Sequence, residues 1–158
     1  MYLRMFGRLI VILTMACGHA PPAADSPASP PKVQLAVIPA DSEAFPRAAQ
    51  AVSASLAAAR VSGIDETRVS KVSLEVVQLS VECVDPTSTC YEAIGRSMSV
   101  NRLLFARLTG GAHKRQLKIM VTLFDVDAKA AMRTAEKVFA TEDAATAGAA
   151  ALVAEVAR

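Results

Sequence analysis

The chain contains no tryptophan, and aromatic residues make up only 4% of it. Pockets for small organic ligands are usually lined with aromatic side chains, so this composition counts against a small-ligand site. Histidine is also scarce, with only His19 and His113, and the three cysteines are Cys17, Cys83 and Cys90. These few side chains leave little from which to build a metal site or a catalytic nucleophile with its base.

Motifs of the common enzyme classes are absent as well. The sequence has no G-x-S-x-G, H-E-x-x-H, P-loop or G-x-G-x-x-G motif. The carboxylate pairs, Glu82 with Asp85 and Asp125 with Asp127, fall at expected turns, where solvated charge is the ordinary finding. We therefore expect no enzymatic activity, no cofactor and no metal site.

Charge in the expected mature chain is balanced, which argues against a nucleic-acid partner. The 17 lysines and arginines, less Arg4 and Arg8 of the leader, match the 15 acidic residues. Basic residues are scattered, and the one cluster, His113-Lys114-Arg115, is typical of a solvated loop. A surface that follows a phosphate backbone is therefore not expected.

The amino-terminal residues 1–16 are typical of an export signal. Arg4 and Arg8 precede an apolar run from Leu9 to Ala16. The run is too short to cross a bilayer, which takes ~20 predominantly apolar residues. We predict that residues 1–16 are a signal peptide and that the protein is exported to the periplasm or outer membrane.

Two cleavage sites compete at the end of this signal. Leu13-Thr-Met-Ala-Cys17 resembles the bacterial lipobox, in which the cysteine after the cut receives diacylglycerol, although two positions depart from the usual pattern. Gly18-His19-Ala20 is an ordinary small-x-small site. We favour lipid attachment at Cys17, and a soluble periplasmic or secreted form cut after Ala20 is the alternative.

A proline-rich segment follows the signal. Residues 18–32 hold five of the eight prolines and little apolar surface, so they cannot build a core. This composition favours an extended spacer, and we interpret residues 17–32 as a lipid-attachment cysteine with its tether. Residues 33–158 are then of a size suited to one globular domain.

Once Cys17 is lipidated or removed, Cys83 and Cys90 remain as a pair. An exported chain is exposed to an oxidising compartment, so we predict a structural disulfide between them. A redox pair or half of a metal site are weaker alternatives, because the spacing is not C-x-x-C and histidines are so few.

Hydrophobic periodicity predicts an α/β fold, an α+β sandwich of one mixed sheet of about five strands with three helices packed on it. The expected order is β-α-β-α-β-β-β-α. Within residues 69–83 the period-two pattern changes phase near Val76 and Val77. We interpret this as one strand with a β-bulge, or as one strand that passes from the cover of one neighbour to that of another. Thr89 to Glu92 matches a capping box at the start of the second helix, and Thr141 is a cap for the last. The predicted strands cover 33–38, 69–83, 102–108, 116–126 and 133–140, and the predicted helices 45–59, 89–98 and the residues after 141.

Three segments resemble the TolB amino-terminal domain and related CsgG-like domains of exported bacterial proteins. They are Leu35-Ala-Val-Ile-Pro39, the segment from Cys90 to Phe105, and Val121-Thr-Leu-Phe-Asp-Val126. The resemblance implies a non-catalytic envelope domain that acts by binding other proteins. We expect an adaptor or assembly factor that docks an envelope protein through a sheet edge or the alanine-rich last helix. The alternative is a module that binds a small ligand between the sheet and the helices.

The fate of Cys17 is directly testable by intact-mass measurement of the mature protein from a bacterial envelope. We expect a chain that begins at a diacylglyceryl-modified Cys17, because this cysteine ends the apolar run of the signal. A free amino terminus at Pro21 would contradict the lipoprotein interpretation.

Overall fold

A computed structural model describes residues 32–83 and 85–158 of the chain. The predicted signal peptide 1–16, Cys17 and the tether up to residue 31 lie outside the described residues. The elements are β1 (Gln34–Val37), α1 (Pro46–Ala58), β2 (Glu66–Val69), α2 (Leu74–Ser80), α3 (Ser88–Ser97), β3 (Arg102–Gly110), β4 (Leu117–Asp125), β5 (Ala130–Phe139) and α4 (Glu142–Ala157).

One five-stranded mixed sheet forms the centre of the domain, in the order β2-β1-β3-β4-β5. β1 runs parallel to both β2 and β3, whereas β3, β4 and β5 form an antiparallel meander. The predicted α/β class with one mixed sheet is confirmed. The predicted number of three helices is wrong, because residues 32–83 and 85–158 contain four.

Each face of the sheet carries its own hydrophobic core, because the inner strands β1 and β3 are apolar on both faces. The larger cluster lies under α1 and α4, where Leu35, Val37 and Leu104 meet Leu56 and Leu152. The smaller cluster lies under α2 and α3 on the opposite face. Its members include Ile38, Leu74, Val77, Ile94, Phe105 and Phe124. The two helix pairs are therefore held to the sheet by separate clusters of side chains.

The amino-terminal turns of α1 and α4 are joined to each other. Thr141 accepts a hydrogen bond from the Ala144 N–H, as its predicted role as cap requires. The Glu142 carboxylate accepts from the N–H groups of Arg47 and Ala48, and so caps α1 from another helix. Burial opposes ionisation of Glu142, but these backbone hydrogen bonds hold its pKa below the ordinary value.

The interpretation of residues 69–83 as one bulged strand is wrong. The strand β2 ends at Val69, and Ser73 is the N-cap of the helix α2. Leu74 and Val77 are buried at a spacing of three, which is helical. In a helix, apolar residues recur every three or four positions. In a segment as rich in aliphatic residues as this one, that repeat can be mistaken for a strand alternation that changes phase. The register irregularity of the sheet lies instead between β4 and β5, beside Leu123 and Phe124.

The predicted capping box from Thr89 to Glu92 is also wrong. The N-cap of α3 is Thr87, whose hydroxyl accepts a hydrogen bond from the Cys90 N–H. Glu92 instead pairs with Lys129 at 3.0 Å and Arg96 at 2.9 Å. These hydrogen bonds hold the pKa of Glu92 below its ordinary value and link α3 to the turn between β4 and β5.

Close contact between Gly95 and Val126 seats α3 on the sheet. A Cβ atom built on Gly95 would lie within 2.8 Å of the Val126 Cγ1 atom and closer still to Cγ2. Any larger residue at position 95 must therefore push α3 or Val126 out of place.

We expect Gly95→Ala to lower the free energy of unfolding by about 1–3 kcal/mol, because overpacking outweighs the helix propensity that alanine gains. Chemical denaturation of the purified domain measures this change. Gly110→Ala is the control, since nothing lies within 4 Å of its added Cβ. Equal stability of the two variants would contradict the seating of α3 by Gly95.

Candidate functional site

The outer face of α2 exposes a row of large aliphatic side chains. Leu74 and Val77 face the core, whereas Val76 is 49% exposed and Leu79 is 73% exposed. Val72, four residues before Val76, is 44% exposed. Val76 and Leu79 lie three residues apart in α2 and so share one helix face, and Val72 lies just before the N-cap residue Ser73. These three residues, Val72, Val76 and Leu79, are called here the α2 ridge. Scattered exposed aliphatic residues are ordinary, but a row of three is a candidate binding surface.

The carboxyl end of α2 closes with a Schellman motif. The Glu82 N–H donates to the Leu79 carbonyl at 3.2 Å, and the Cys83 N–H donates to the Gln78 carbonyl at 3.0 Å. Glu82 occupies the left-handed position of the motif with φ 55°, where glycine is the usual residue. The motif ends the helix beside Leu79 and turns the chain toward Cys83.

A disulfide between Cys83 and Cys90 ties the end of α2 to the first turns of α3. The two Cα atoms are 5.5 Å apart, and Cys90 is buried in the smaller core cluster. We had expected the link at the end of a second strand. It lies instead at the end of α2, and so it restrains the helix that carries the ridge.

Charged groups near the α2 ridge include both paired and unpaired side chains. Arg68 pairs with Glu66 at 2.8 Å and holds the pKa of that carboxyl below its ordinary value. Within residues 32–83 and 85–158, by contrast, Glu75 and Glu82 pair with no cation, and Lys71 pairs with no carboxylate. In sequence, Lys71 precedes Val72, Glu75 lies in the first turn of α2, and Glu82 follows the end of the helix.

The two edges of the sheet are the surfaces where strand addition was expected. The Glu66 N–H donates to the Val33 carbonyl, and the N–H of Ser70, the residue after β2, donates to the Val37 carbonyl. Strand alternation turns the backbone of Thr67 and Val69 outward. This edge is only four residues long. The opposite edge, β5, is ten residues long but carries Arg133, Lys137 and the irregularity beside Leu123, features that discourage edge-to-edge pairing.

The alanine-rich last helix, the other predicted docking surface, forms a shallow groove with α1. A cavity of about 530 Å³ is lined there by small residues such as Ala54, Ala58 and Ala154, with Arg60 and Arg158 at its end. Arg60 lies beside the Ala58 and Ala59 carbonyls, at the carboxyl end of α1. Alanine side chains offer less apolar area to a partner than the valines and leucine of the α2 ridge do.

The space between the sheet and the helices, where a small ligand was the alternative expectation, is filled by the two core clusters. A cavity of about 230 Å³ lies instead at the end of the sheet, beside Val33, Ile64 and Met132. None of the helices in residues 32–83 and 85–158 is long and apolar enough to cross a membrane.

The candidate polar residues are placed as structural groups. Asp125 pairs with Arg102 at 2.9 Å, and its carboxylate accepts from the N–H groups of Asp127 and Ala128 in the turn after β4. His113 lies exposed in the loop between β3 and β4. Cys17, the predicted lipid-attachment residue, lies outside the described residues.

No family model and no curated protein matches the sequence. Among solved structures, a PelC dodecamer from Paraburkholderia phytofirmans is similar over 80% of this chain and 90% of that one, with 14% identity and a TM-score of 0.46. The LpoB C-terminal domain from Salmonella enterica is similar over 72% of this chain and 87% of that one, with 13% identity and a TM-score of 0.43. TolB from Acinetobacter baumannii is similar over 70% of this chain and 23% of that one, with 9% identity and a TM-score of 0.32.

LpoB and TolB are bacterial envelope proteins, and TolB is the protein whose amino-terminal domain the sequence resembles. With every TM-score under one half, these likenesses carry no argument about function.

Sequence reasoning missed the α2 ridge. The valines and leucine from 72 to 79 were assigned to a strand, which would have buried every second one. The signal that could have found the ridge was Ser73, a preferred N-cap residue, followed by Glu75 in the first helical turn. The Cys83–Cys90 pair was predicted from the two cysteines that remain after Cys17 and from the expected oxidising compartment, but its location depended on the missed helix.

We expect replacement of both Cys83 and Cys90 by serine to lower the free energy of unfolding by about 2.5 kcal/mol, because the short loop is no longer closed in the unfolded chain. Chemical denaturation measures the loss, and reduced wild-type protein is the matched control.

Alkylation of exported protein without reduction should leave both cysteines unlabelled. Two labelled thiols would contradict the disulfide.

Proposed function

We propose that this chain is a bacterial cell-envelope lipoprotein whose domain, residues 33–158, binds an envelope protein through the α2 ridge. Its role is that of an adaptor or assembly factor without catalytic activity. The lipid on Cys17 holds the domain at a membrane, and the ridge holds the partner.

The observation that carries this proposal is the exposure of Leu79 and Val76 on one face of a short helix. Burying exposed aliphatic area contributes roughly 25 cal/mol per Å² to association, so a row of such side chains is a ready anchor for a partner. Among the residues that the structure describes, Leu79 is the most exposed of the large apolar ones, at 73%. Exposed aliphatic side chains do not stabilise an isolated domain, whereas in a binding domain they contribute free energy when the partner buries them.

The ridge is also restrained before any partner arrives. The disulfide joins Cys83 to buried Cys90, and Leu74 and Val77 hold the inner face of α2 in the core. A surface that is already ordered loses less conformational entropy on binding, which favours affinity. This supports a docking role rather than an incidental exposure of apolar side chains.

The expected anchor and tether suit the same role. Proline-rich segments extend by ~3.1 Å per residue where polyproline II persists, so the tether gives the domain reach away from the membrane. A domain that is confined to a membrane surface meets other envelope proteins at a raised effective concentration.

The absence of catalysis is part of the proposal. Its support is that Asp125, one of the carboxylates considered in the sequence, is engaged by Arg102 and by the N–H groups of the turn after β4. His113 is exposed in a loop, where no surrounding group restrains it for acid–base work.

Photo-cross-linking in the native envelope tests the proposal. A photoreactive amino acid at position 79 should give a discrete cross-linked protein, because its side chain projects from the α2 ridge. The matched control is position 147, an exposed alanine on the outer face of α4. Mass spectrometry of the captured band then identifies the partner.

A discrete adduct at position 147 with none at position 79 would move the docking surface to the last helix and overturn the ridge. Recovery of lipid alone at both positions, together with turnover of an envelope substrate by the purified chain, would overturn the adaptor role.

A further inference from the structure

The outer edge of β2 presents backbone groups that have no neighbouring strand. β2 is the first strand in the sheet order and pairs only with β1. Because the N–H groups of Glu66 and Ser70 point toward β1, the N–H and carbonyl groups of Thr67 and Val69 point away from it. Thr67, Arg68 and Val69 are exposed, so none of the described elements covers this edge. A further strand can therefore be added to the sheet there.

The charged side chains of β2 restrict which strand can be added. Glu66 and Arg68 are two residues apart and lie on the same face of the strand, with Thr67 between them on the other face. Charges on an edge discourage pairing with most strands, because like charges directly opposite each other are destabilising. A strand that carries the two opposite charges in the reverse order is favoured instead. An antiparallel copy of β2 is such a strand.

Only one register of that pairing places opposite charges together. A two-fold axis relating two copies of β2 stands normal to the sheet, so the pairing is centred on a single residue. Centring it on Glu66 or on Arg68 places that side chain opposite its own copy, and the two repel. Centring it on Thr67 places Glu66 of each copy opposite Arg68 of the other. Thr67 then forms a hydrogen-bonded pair with its own copy, because its backbone points outward.

The other edge of the sheet does not have this complementarity. In β5, Arg133 and Glu136 are three residues apart and lie on opposite faces of the strand, so no two-fold pairing places them opposite each other. Centring β5 on Ala135 places Arg133 opposite Lys137, which is repulsive. Glu136 is already paired with Lys118 of the neighbouring strand at 3.2 Å. Self-complementary charge is therefore a feature of β2 and not of β5.

We infer that β2 pairs antiparallel with β2 of a second copy of this chain, about a two-fold axis at Thr67, and so joins two five-stranded sheets into one. Strands of four residues bury less surface than a stable dimer in solution needs, so the pairing forms where copies are concentrated. For that concentration the inference rests on the membrane anchor of the proposed function, since copies confined to a membrane meet at a raised effective concentration. It does not depend on the α2 ridge.

Cysteine cross-linking in the envelope tests the inference on the full-length exported chain. Thr67→Cys should give a disulfide-linked dimer in non-reducing electrophoresis, because the Cα atoms of a hydrogen-bonded antiparallel pair are about 5.5 Å apart, within the range of a disulfide. Val69→Cys is the matched control, since it changes another exposed residue of the same edge. In this register its two copies are more than ~13 Å apart, so it should stay monomeric.

Charge exchange between two chains tests the register. In the Thr67→Cys background, Glu66→Arg makes the edge wholly basic and Arg68→Glu makes it wholly acidic. Each variant expressed alone should give roughly tenfold less dimer, because like charges now lie opposite each other. Expressed together with different tags, the two variants should again form a mixed dimer. The ion pair within each chain is lost in both variants, so recovery of the mixed dimer reports contact between copies.

Several results overturn the inference. Equal dimer yields from Thr67→Cys and Val69→Cys contradict the register, as does failure of the two charge variants to form a mixed dimer. A cross-link from position 67 to a different protein, without a dimer, assigns the edge to another protein's strand. If position 67 gives no product while a photo-cross-link still forms at position 79, the second copy is contradicted and the proposed function stands.

Discussion

The disulfide between Cys83 and Cys90 is the constraint on which the exposed ridge depends. α2 has only seven residues, and its buried face consists of Leu74 and Val77. Isolated helices of this length are unstable in water, because the cost of nucleation is not recovered over so few hydrogen bonds. The covalent link to buried Cys90 supplies the restraint that helix length does not. The side chains of the α2 ridge can then stay exposed while the helix remains folded.

The unequal covering of the two sheet faces explains why this helix is available for binding. On one face, α1 and α4 extend over 13 and 16 residues and are joined at their amino-terminal turns by Glu142. On the other face, α2 and α3 cover the sheet with 7 and 10 residues. The first pair therefore covers more of the sheet, whereas the second pair is held by the smaller core cluster, the disulfide and the close contact at Gly95. The binding surface lies on the less extensively packed side of the domain.

Much of the fold could be predicted from hydrophobic periodicity. The buried strand β1, the β3–β4 hairpin and the capped last helix follow from patterns that only one period fits. Periodicity gave the wrong structure for residues 69–83. The valines at positions 72, 76, 77 and 81 favour a strand locally, but tertiary packing overrides that preference and a helix forms. The neighbourhood of Glu82 could not be predicted at all, since a left-handed glutamate follows from the turn toward Cys83 and leaves no signal in sequence. Sequence patterns therefore did not predict the candidate site. They did predict the cysteine pair that restrains it.

Amide hydrogen exchange of the oxidised and the reduced domain tests the central claim, that the disulfide holds the α2 ridge in place. With the disulfide intact, the amides from Val77 to Cys83 should be protected by the helix and its Schellman motif. After reduction, the same amides should exchange at nearly the rate of an unfolded chain, while β1, β3 and β4 keep their protection. Unchanged protection of α2 after reduction would contradict the claim, since the ridge would then be held by packing alone.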